Sequence, residues 1–114
     1  MIPKDHRFAC KCCGKNWIDA RVVELARRIE ERIGQRLKIT SGYRCEAHNK
    51  AVGGSETSSH LGGLAVDVAC DTSRLRWQIL NAVIREEINR IGIGRNFVHL
   101  DIDRAKDARV VWLY

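Results

Sequence analysis

The densest chemistry in this chain lies in Ser58-Ser59-His60-Leu61-Gly62-Gly63-Leu64-Ala65-Val66-Asp67, where a histidine precedes an aspartate by seven residues across two glycines. Farther on, Phe97-Val98-His99-Leu100-Asp101 sets a second histidine in a short apolar run. Two imidazoles and one carboxylate suit a zinc ion that keeps one coordination position open for water, an arrangement of hydrolytic sites. Spacing alone does not establish that the three side chains meet. That depends on the elements that carry them.

Those elements are legible as patterns. Asp19 can cap a helix whose apolar positions Val22, Leu25, Ala26, Ile29 and Ile33 follow the 3.6-residue period, with Gly34 as its stop. Thr72 or Ser73 can cap a second helix, with Leu75, Ile79, Val83, Ile84 and Ile88 on the buried face and Gly92 at its end. Leu37–Thr40, Leu64–Cys70, Phe97–Asp103 and Arg109–Tyr114 read as strands, and Ile91-Gly92-Ile93 can begin another. Residues 41–63 read as loop, with one helical turn near His48–Val52. Helices and strands do not alternate regularly, so the expectation is an α+β domain with a mainly antiparallel sheet and two main helices.

Strand parity gives the candidate residues a face. Side chains alternate across a sheet, so Ala65, Asp67 and Ala69 share one side and Leu64, Val66, Val68 and Cys70 the other. In the later strand His99, Asp101 and Asp103 oppose Val98, Leu100 and Ile102. Each strand thus turns a ligand-bearing face away from an apolar one. Gly62 and Gly63 allow the tight bend that would bring His60 over Asp67.

Composition bounds the rest. The chain has 114 residues, 45% hydrophobic and 30% charged, which describes a single globular domain, residues 1–114, with a cysteine-rich segment at about 1–17. The start of the sequence lacks the apolar stretch of a secretory signal, and no run is long enough to span a bilayer. The expectation is therefore a cytoplasmic chain without membrane insertion, leaving the cell by lysis or another route. The net charge of +6 is distributed over Arg21, Arg27, Arg28, Arg32, Arg36 and Lys38 along the first helix and its exit, and over Arg74, Arg76, Arg85 and Arg90 along the second helix. Solvated helix faces account for such a spread, as does loose attraction to an anionic substrate. A nucleic-acid-binding role through Lys11-Cys12-Cys13-Gly14 would need a second cysteine pair and a basic stretch interleaved with aromatics, and the sequence has neither.

The five cysteines are an odd number, which disfavours a scaffold built wholly of disulfides. Cys10, Cys12 and Cys13 could hold a second, structural ion with a further ligand, Cys45 or His6. Alternatively one of them pairs with Cys45, or all are reduced thiols. Cys70 has the parity of a buried thiol.

Together these segments resemble a known family. Ser58 to Asp67 matches S-x-H-x-x-G-x-A-x-D, the signature of zinc D-Ala-D-Ala carboxypeptidases and related murein peptidases, whose fold the Hedgehog signalling domain shares. Ser41-Gly42-Tyr43-Arg44, His48-Asn49 and Val52-Gly53-Gly54 are similar to the S-G-Y-R, H-N and V-G-G segments of a subfamily with phage endolysins and bacterial murein endopeptidases. Phe97 to Asp101 is similar to its F-V-H-x-D segment, and a Phe8-x-Cys10-x-Cys12 start also recurs there. The resemblance runs from about Phe8 to Asp103.

The resemblance implies that His60, Asp67 and His99 ligate one catalytic zinc, which lowers the pKa of bound water to about 7 and polarises the scissile carbonyl. It makes Arg44 the residue that holds a substrate carboxylate or carbonyl, unless it forms only a salt bridge. Ser58 either binds substrate or braces its loop, while His48 and Asn49 stabilise theirs. Many relatives carry the general base three residues before the last zinc histidine, or a histidine two before it. Here Asn96 and Phe97 stand there, and neither is a base. Asp101, two residues after His99 and on its face, is the candidate general base, the alternative being a carboxylate that only orients His99. The implied protein is a monomeric zinc metallopeptidase acting on peptidoglycan stem or cross-link peptides, as endopeptidase or carboxypeptidase, for instance a phage or prophage endolysin. A non-catalytic zinc-containing binding module of the same fold is the alternative.

Overall fold

The computed structural model describes residues 5–114; the first four residues of the cysteine-rich segment lie outside the described residues. After a short 3₁₀ turn at His6–Phe8, helix α1 spans Ala20–Ile33. Then come strand β1 (Ile39–Ser41), helix α2 (Glu46–Ala51), β2 (Ala65–Ala69), α3 (Ser73–Arg85), β3 (Arg90–Ile93), β4 (Phe97–Asp101) and β5 (Val110–Leu113). The protein is an α+β domain with two main helices. Its sheet has the order β1-β2-β4-β3-β5, antiparallel except for the β3–β5 pair. No helix among the described residues is long and apolar enough to cross a membrane.

α1 begins where the Asp19 carboxylate accepts the Arg21 N–H at 2.8 Å and ends on Gly34 in the left-handed conformation. Its apolar stripe, Val22, Leu25, Ala26 and Ile29, is buried. Thr72 caps α3, accepting the Leu75 N–H at 3.1 Å, and Ile79, Ala82 and Val83 face the core. Both stripes join Val66, Val68, Val98 and Leu100 of the sheet in one core with Phe8 and Ile18. On this scale each fully buried aliphatic side chain contributes about 1.5–3 kcal/mol.

The end of α3 differs from the periodic expectation. The helix stops at Arg85, Glu87 adopts φ 59°, and the N–H groups of Glu87 and Ile88 return to the carbonyls of Ile84 and Val83. This is a Schellman closure with glutamate where glycine is usual, so the stop carries no glycine signal. Three expectations change with it. Ile84 is exposed, Ile88 packs on the core from outside the helix, and Gly92 and Arg90 belong to β3.

Register decides which side chains meet. Asp67 stands directly opposite His99, and Ala65 opposite Asp101. On the other side of β4, Gly92 pairs with His99 and also with Trp112. One sheet face therefore carries Asp67, His99 and Trp112 across strands β2, β4 and β5, while Val66, Val68, Val98 and Leu100 point to the helices. At Gly92 a Cβ would lie 2.6 Å from the Tyr114 ring and 2.7 Å from Trp112, so the missing side chain lets both rings lie over the site face.

Candidate metal centre

His60 comes from the connection between β1 and β2, Asp67 from β2 and His99 from β4. The turn that carries His60 closes at Gly63, which has φ 69° and whose Cβ would meet the Trp17 carbonyl at 2.1 Å. All three candidate ligands are buried, and one donor atom from each lies within 4.8 Å of the others. Asp67 Oδ1 is 3.3 Å from His60 Nε2 and 2.9 Å from His99 Nδ1.

The far edges of the two rings are occupied. His60 Nδ1 lies 2.7 Å from the Gly42 carbonyl, which can only accept, so Nδ1 carries the proton and a neutral ring turns its Nε2 lone pair inward. His99 Nε2 lies 2.7 Å from Asp101 Oδ2. When His99 is neutral and donates there, two lone pairs and a carboxylate oxygen face one another. Such a cluster requires a cation or a proton among them, and histidines held by a carbonyl and a carboxylate on the outer edge are how protein metal ligands are oriented. The group is thus compatible with a metal site.

The electrostatics agree. Burial alone would raise the Asp67 carboxyl, but a proton on the facing His60 or His99 nitrogen outweighs it and holds the group well below the ordinary carboxylate range, the same place where a metal cation would sit. For His99 burial opposes the charged form, yet Asp101 and then Asp67 raise its pKa above the usual imidazole value. Asp101 is held below its ordinary value against burial by His99, by the Asp103 N–H and by Arg90. Arg90 Nε donates to Asp101 Oδ1 at 2.7 Å, so both oxygens of a carboxylate only 1% exposed are engaged.

The centre lines an open cleft of about 420 Å³. Arg44 borders it, with Nε on Ser41 Oγ at 2.9 Å, Nη1 on Asn49 Oδ1 at 3.2 Å and Nη2 on Asp67 Oδ2 at 3.4 Å. Asn49 is buried and also donates to the Ser55 carbonyl, so it ties Arg44 to the loop. Ser58 lines the cleft while its Oγ accepts the His60 N–H at 3.2 Å. On the opposite rim, Lys106 donates to Ser59 Oγ at 2.9 Å, and Ser59 donates to Asp103 at 2.8 Å.

Trp112, Tyr114, Lys106 and Arg90 line the same cleft and were not among the residues singled out by type and spacing. The rings of Trp112 and Tyr114 lie 5.4 Å and 6.4 Å from that of His99. Arg90 stacks 5.1 Å from the Trp112 ring. The placement of Trp112 and Tyr114 depends on β5 joining β3 in parallel, which no local pattern announces.

Elsewhere the sulfurs of Cys10, Cys12, Cys13 and Cys45 also lie within 4.8 Å of one another as free thiols. Burial raises the Cys10 thiol, but backbone amides of Cys45, Cys12 and Cys13 bring it down to about 6. Cys12, hydrogen-bonded to Cys45 and Cys10, is pushed up to about 12. Cys70 is buried apart from them, as parity predicts.

A small α+β domain with two buried histidines and a buried aspartate lining an open cleft is compatible with a metal-binding hydrolase. A family model for Peptidase M15 matches residues 3–101, and the chain belongs to that family. No curated protein sequence matches it.

Proposed function

We propose that this protein is a zinc-dependent peptidase that hydrolyses amide bonds in peptidoglycan stem or cross-link peptides. The convergence of His60 Nε2, Asp67 Oδ1 and His99 Nδ1 at the floor of a cleft, in a chain of the M15 peptidase family, carries this reading. When bound there, zinc supplies Lewis-acid polarisation of the scissile carbonyl and activation of water.

The chain's own residues do the rest. His60, Asp67 and His99 hold the ion, and the Gly42 carbonyl and Asp101 set the two ring orientations. Arg44, anchored by Ser41 and Asn49, presents its guanidinium beside Asp67, where it can take a peptide carboxylate or carbonyl. Lys106 adds a second cation on the facing rim, and Trp112 and Tyr114 form a wall against which a peptide can pack. Ser58, which braces His60, shapes the loop. Of the two roles open to Asp101, which also lines the cleft, the engagement of both its oxygens by His99 and Arg90 supports the orienting one.

That placement also favours the second reading, a zinc-containing binding module without turnover, because the carboxylate considered as base has both oxygens engaged. One experiment separates the two. Zinc-loaded protein is incubated with purified peptidoglycan, and the muropeptides are resolved by mass spectrometry. New amino termini of defined position are expected and identify the bond. Retention on peptidoglycan without cleavage would establish the module, and neither retention nor cleavage would dismiss this substrate class. The chain is proposed to work as a monomer, without nucleic acid, on wall that it reaches after release from the cell, as an endolysin does.

A further inference from the structure

The four-cysteine cluster lies outside the cleft, and its geometry is that of a closed metal site. Three of the sulfurs come from one short loop. Phe8, fully buried, anchors the chain just before it, and the Tyr43 N–H donates to the Phe8 carbonyl at 2.9 Å. The loop then closes on itself, with Gly14 N–H on the Cys10 carbonyl at 2.9 Å and Cys10 N–H on the Lys15 carbonyl at 2.7 Å. The fourth sulfur, Cys45, comes from the residue that precedes α2, so the two groups are distant in sequence and joined by the fold.

We propose that Cys10, Cys12, Cys13 and Cys45 bind a structural zinc ion as four thiolates. Zinc–sulfur bonds of about 2.3 Å in a tetrahedron place neighbouring sulfurs about 3.8 Å apart. The separations are 3.9 Å for Cys10–Cys12, 3.6 Å for Cys10–Cys45 and 3.4 Å for Cys12–Cys45, and the Cys13 sulfur lies within 4.8 Å of all three. Backbone amides already point at these sulfurs, among them Cys45 N–H at Cys10 Sγ, 3.5 Å, and His48 N–H at Cys45 Sγ, 3.4 Å. Such outer hydrogen bonds orient thiolate ligands and spread their negative charge. On binding, the thiols release their protons to solvent, and the completed site carries a net charge of −2 on a chain of +6.

Four sulfur ligands leave no open coordination position, which marks the ion as structural. The odd cysteine count is resolved as well. Four cysteines form the site, and the fifth, Cys70, is buried elsewhere with its sulfur 3.7 Å from the Thr72 carbonyl. The ion would join the N-terminal loop to the residue beside Arg44, whose N–H donates to the His60 carbonyl at 3.1 Å. This proposal is independent of the peptidase reading.

The test is metal analysis and native mass spectrometry of the full chain, purified without chelator. His60→Ala/His99→Ala is expected to keep one zinc, and Cys12→Ser/Cys13→Ser is expected to lose one relative to wild type. Cobalt(II) replaces zinc as a spectroscopic probe. The wild-type chain should then show the intense near-ultraviolet thiolate-to-cobalt charge-transfer band, which Cys12→Ser/Cys13→Ser lacks. Cys12 and Cys13 are exposed, so that variant keeps its core, and the cobalt spectrum decides the matter even if the histidine variant does not fold. A wild-type chain without the band, iron in place of zinc, or a disulfide among these four cysteines by alkylation mapping would overturn the proposal.

Discussion

His99 stands between two carboxylates, 2.9 Å from Asp67 and 2.7 Å from Asp101, and the roles of the two follow from what else touches them. Both line the cleft, but Asp67 shares its Oδ1 with both imidazoles, whereas Asp101 has one oxygen on His99 and the other on Arg90. Asp101→Asn is therefore expected to weaken zinc binding by about 10–100-fold, the usual cost of losing an outer carboxylate. At saturating zinc its turnover should stay near that of wild type. A rate loss of about 10²–10⁴ with zinc fully bound would instead make Asp101 the proton acceptor. Arg44 is the other residue open to a direct test. A planar guanidinium fixed by Ser41 and Asn49 is not replaced by an ammonium. Losing one charge-assisted hydrogen bond, about 1.5–3 kcal/mol, predicts that Arg44→Lys lowers kcat/KM on muropeptides by about 10–100-fold, with zinc content unchanged.

Among the elements, the short 3₁₀ turn at His6–Phe8 links the cysteine loop to the core. Asp5 accepts the Arg7 N–H at 3.0 Å and pairs with its guanidinium at 2.8 Å. Arg7 also reaches Glu30 of α1 at 2.9 Å and the Leu37 carbonyl at 2.7 Å. The side-chain hydrogen bond from Arg7 holds the Asp5 carboxyl below its ordinary value, against a smaller effect of burial. A depressed carboxylate contributes stability that is fully present above its unfolded value, about 3.9, and is lost as pH falls through the folded value. Urea midpoints measured from pH 6 down to pH 2 should therefore fall less steeply for Asp5→Asn than for wild type. Parallel slopes would mean that the pair contributes nothing.

At the scale of the whole molecule, the cleft brings together acidic and imidazole groups that water would otherwise solvate separately. Filling the site should stabilise the fold by mass action. Zinc at about 100 times its Kd adds about 2.7 kcal/mol, which for a domain of this size is a rise in Tm of about 10 °C. Scanning calorimetry with and without a chelator measures this, and His99→Ala should lose the part due to the His60–Asp67–His99 centre. An unchanged Tm in the wild-type protein would argue against metal at either site. The basic helices do not form one uniform surface. Arg28 and Arg32 both pair with Glu86, and Arg27 with Glu24 and Glu31, so much of the positive charge is locally compensated.

The sequence by itself determined the ligand types and the faces that bear them. Alternation in Ala65–Ala69 and Phe97–Asp101 separates Asp67 and His99 from Val66, Val68, Val98 and Leu100, and this is a property of local backbone geometry. It also marked α1 from cap to cap, because Asp19 and Gly34 are strong local signals. The end of α3 carries no such signal, because its left-handed residue is Glu87, and the apolar period therefore runs on through Arg90, a β3 residue in contact with Asp101. Only the tertiary structure decided that Asp67 and His99 are cross-strand partners, that β5 returns parallel to β3 with Trp112 over the site, and that Cys45 joins the N-terminal cysteines. The reason is that these relations are set by strand order, register and chain reversal. They depend on how the whole core packs, and no single stretch of residues contains that information.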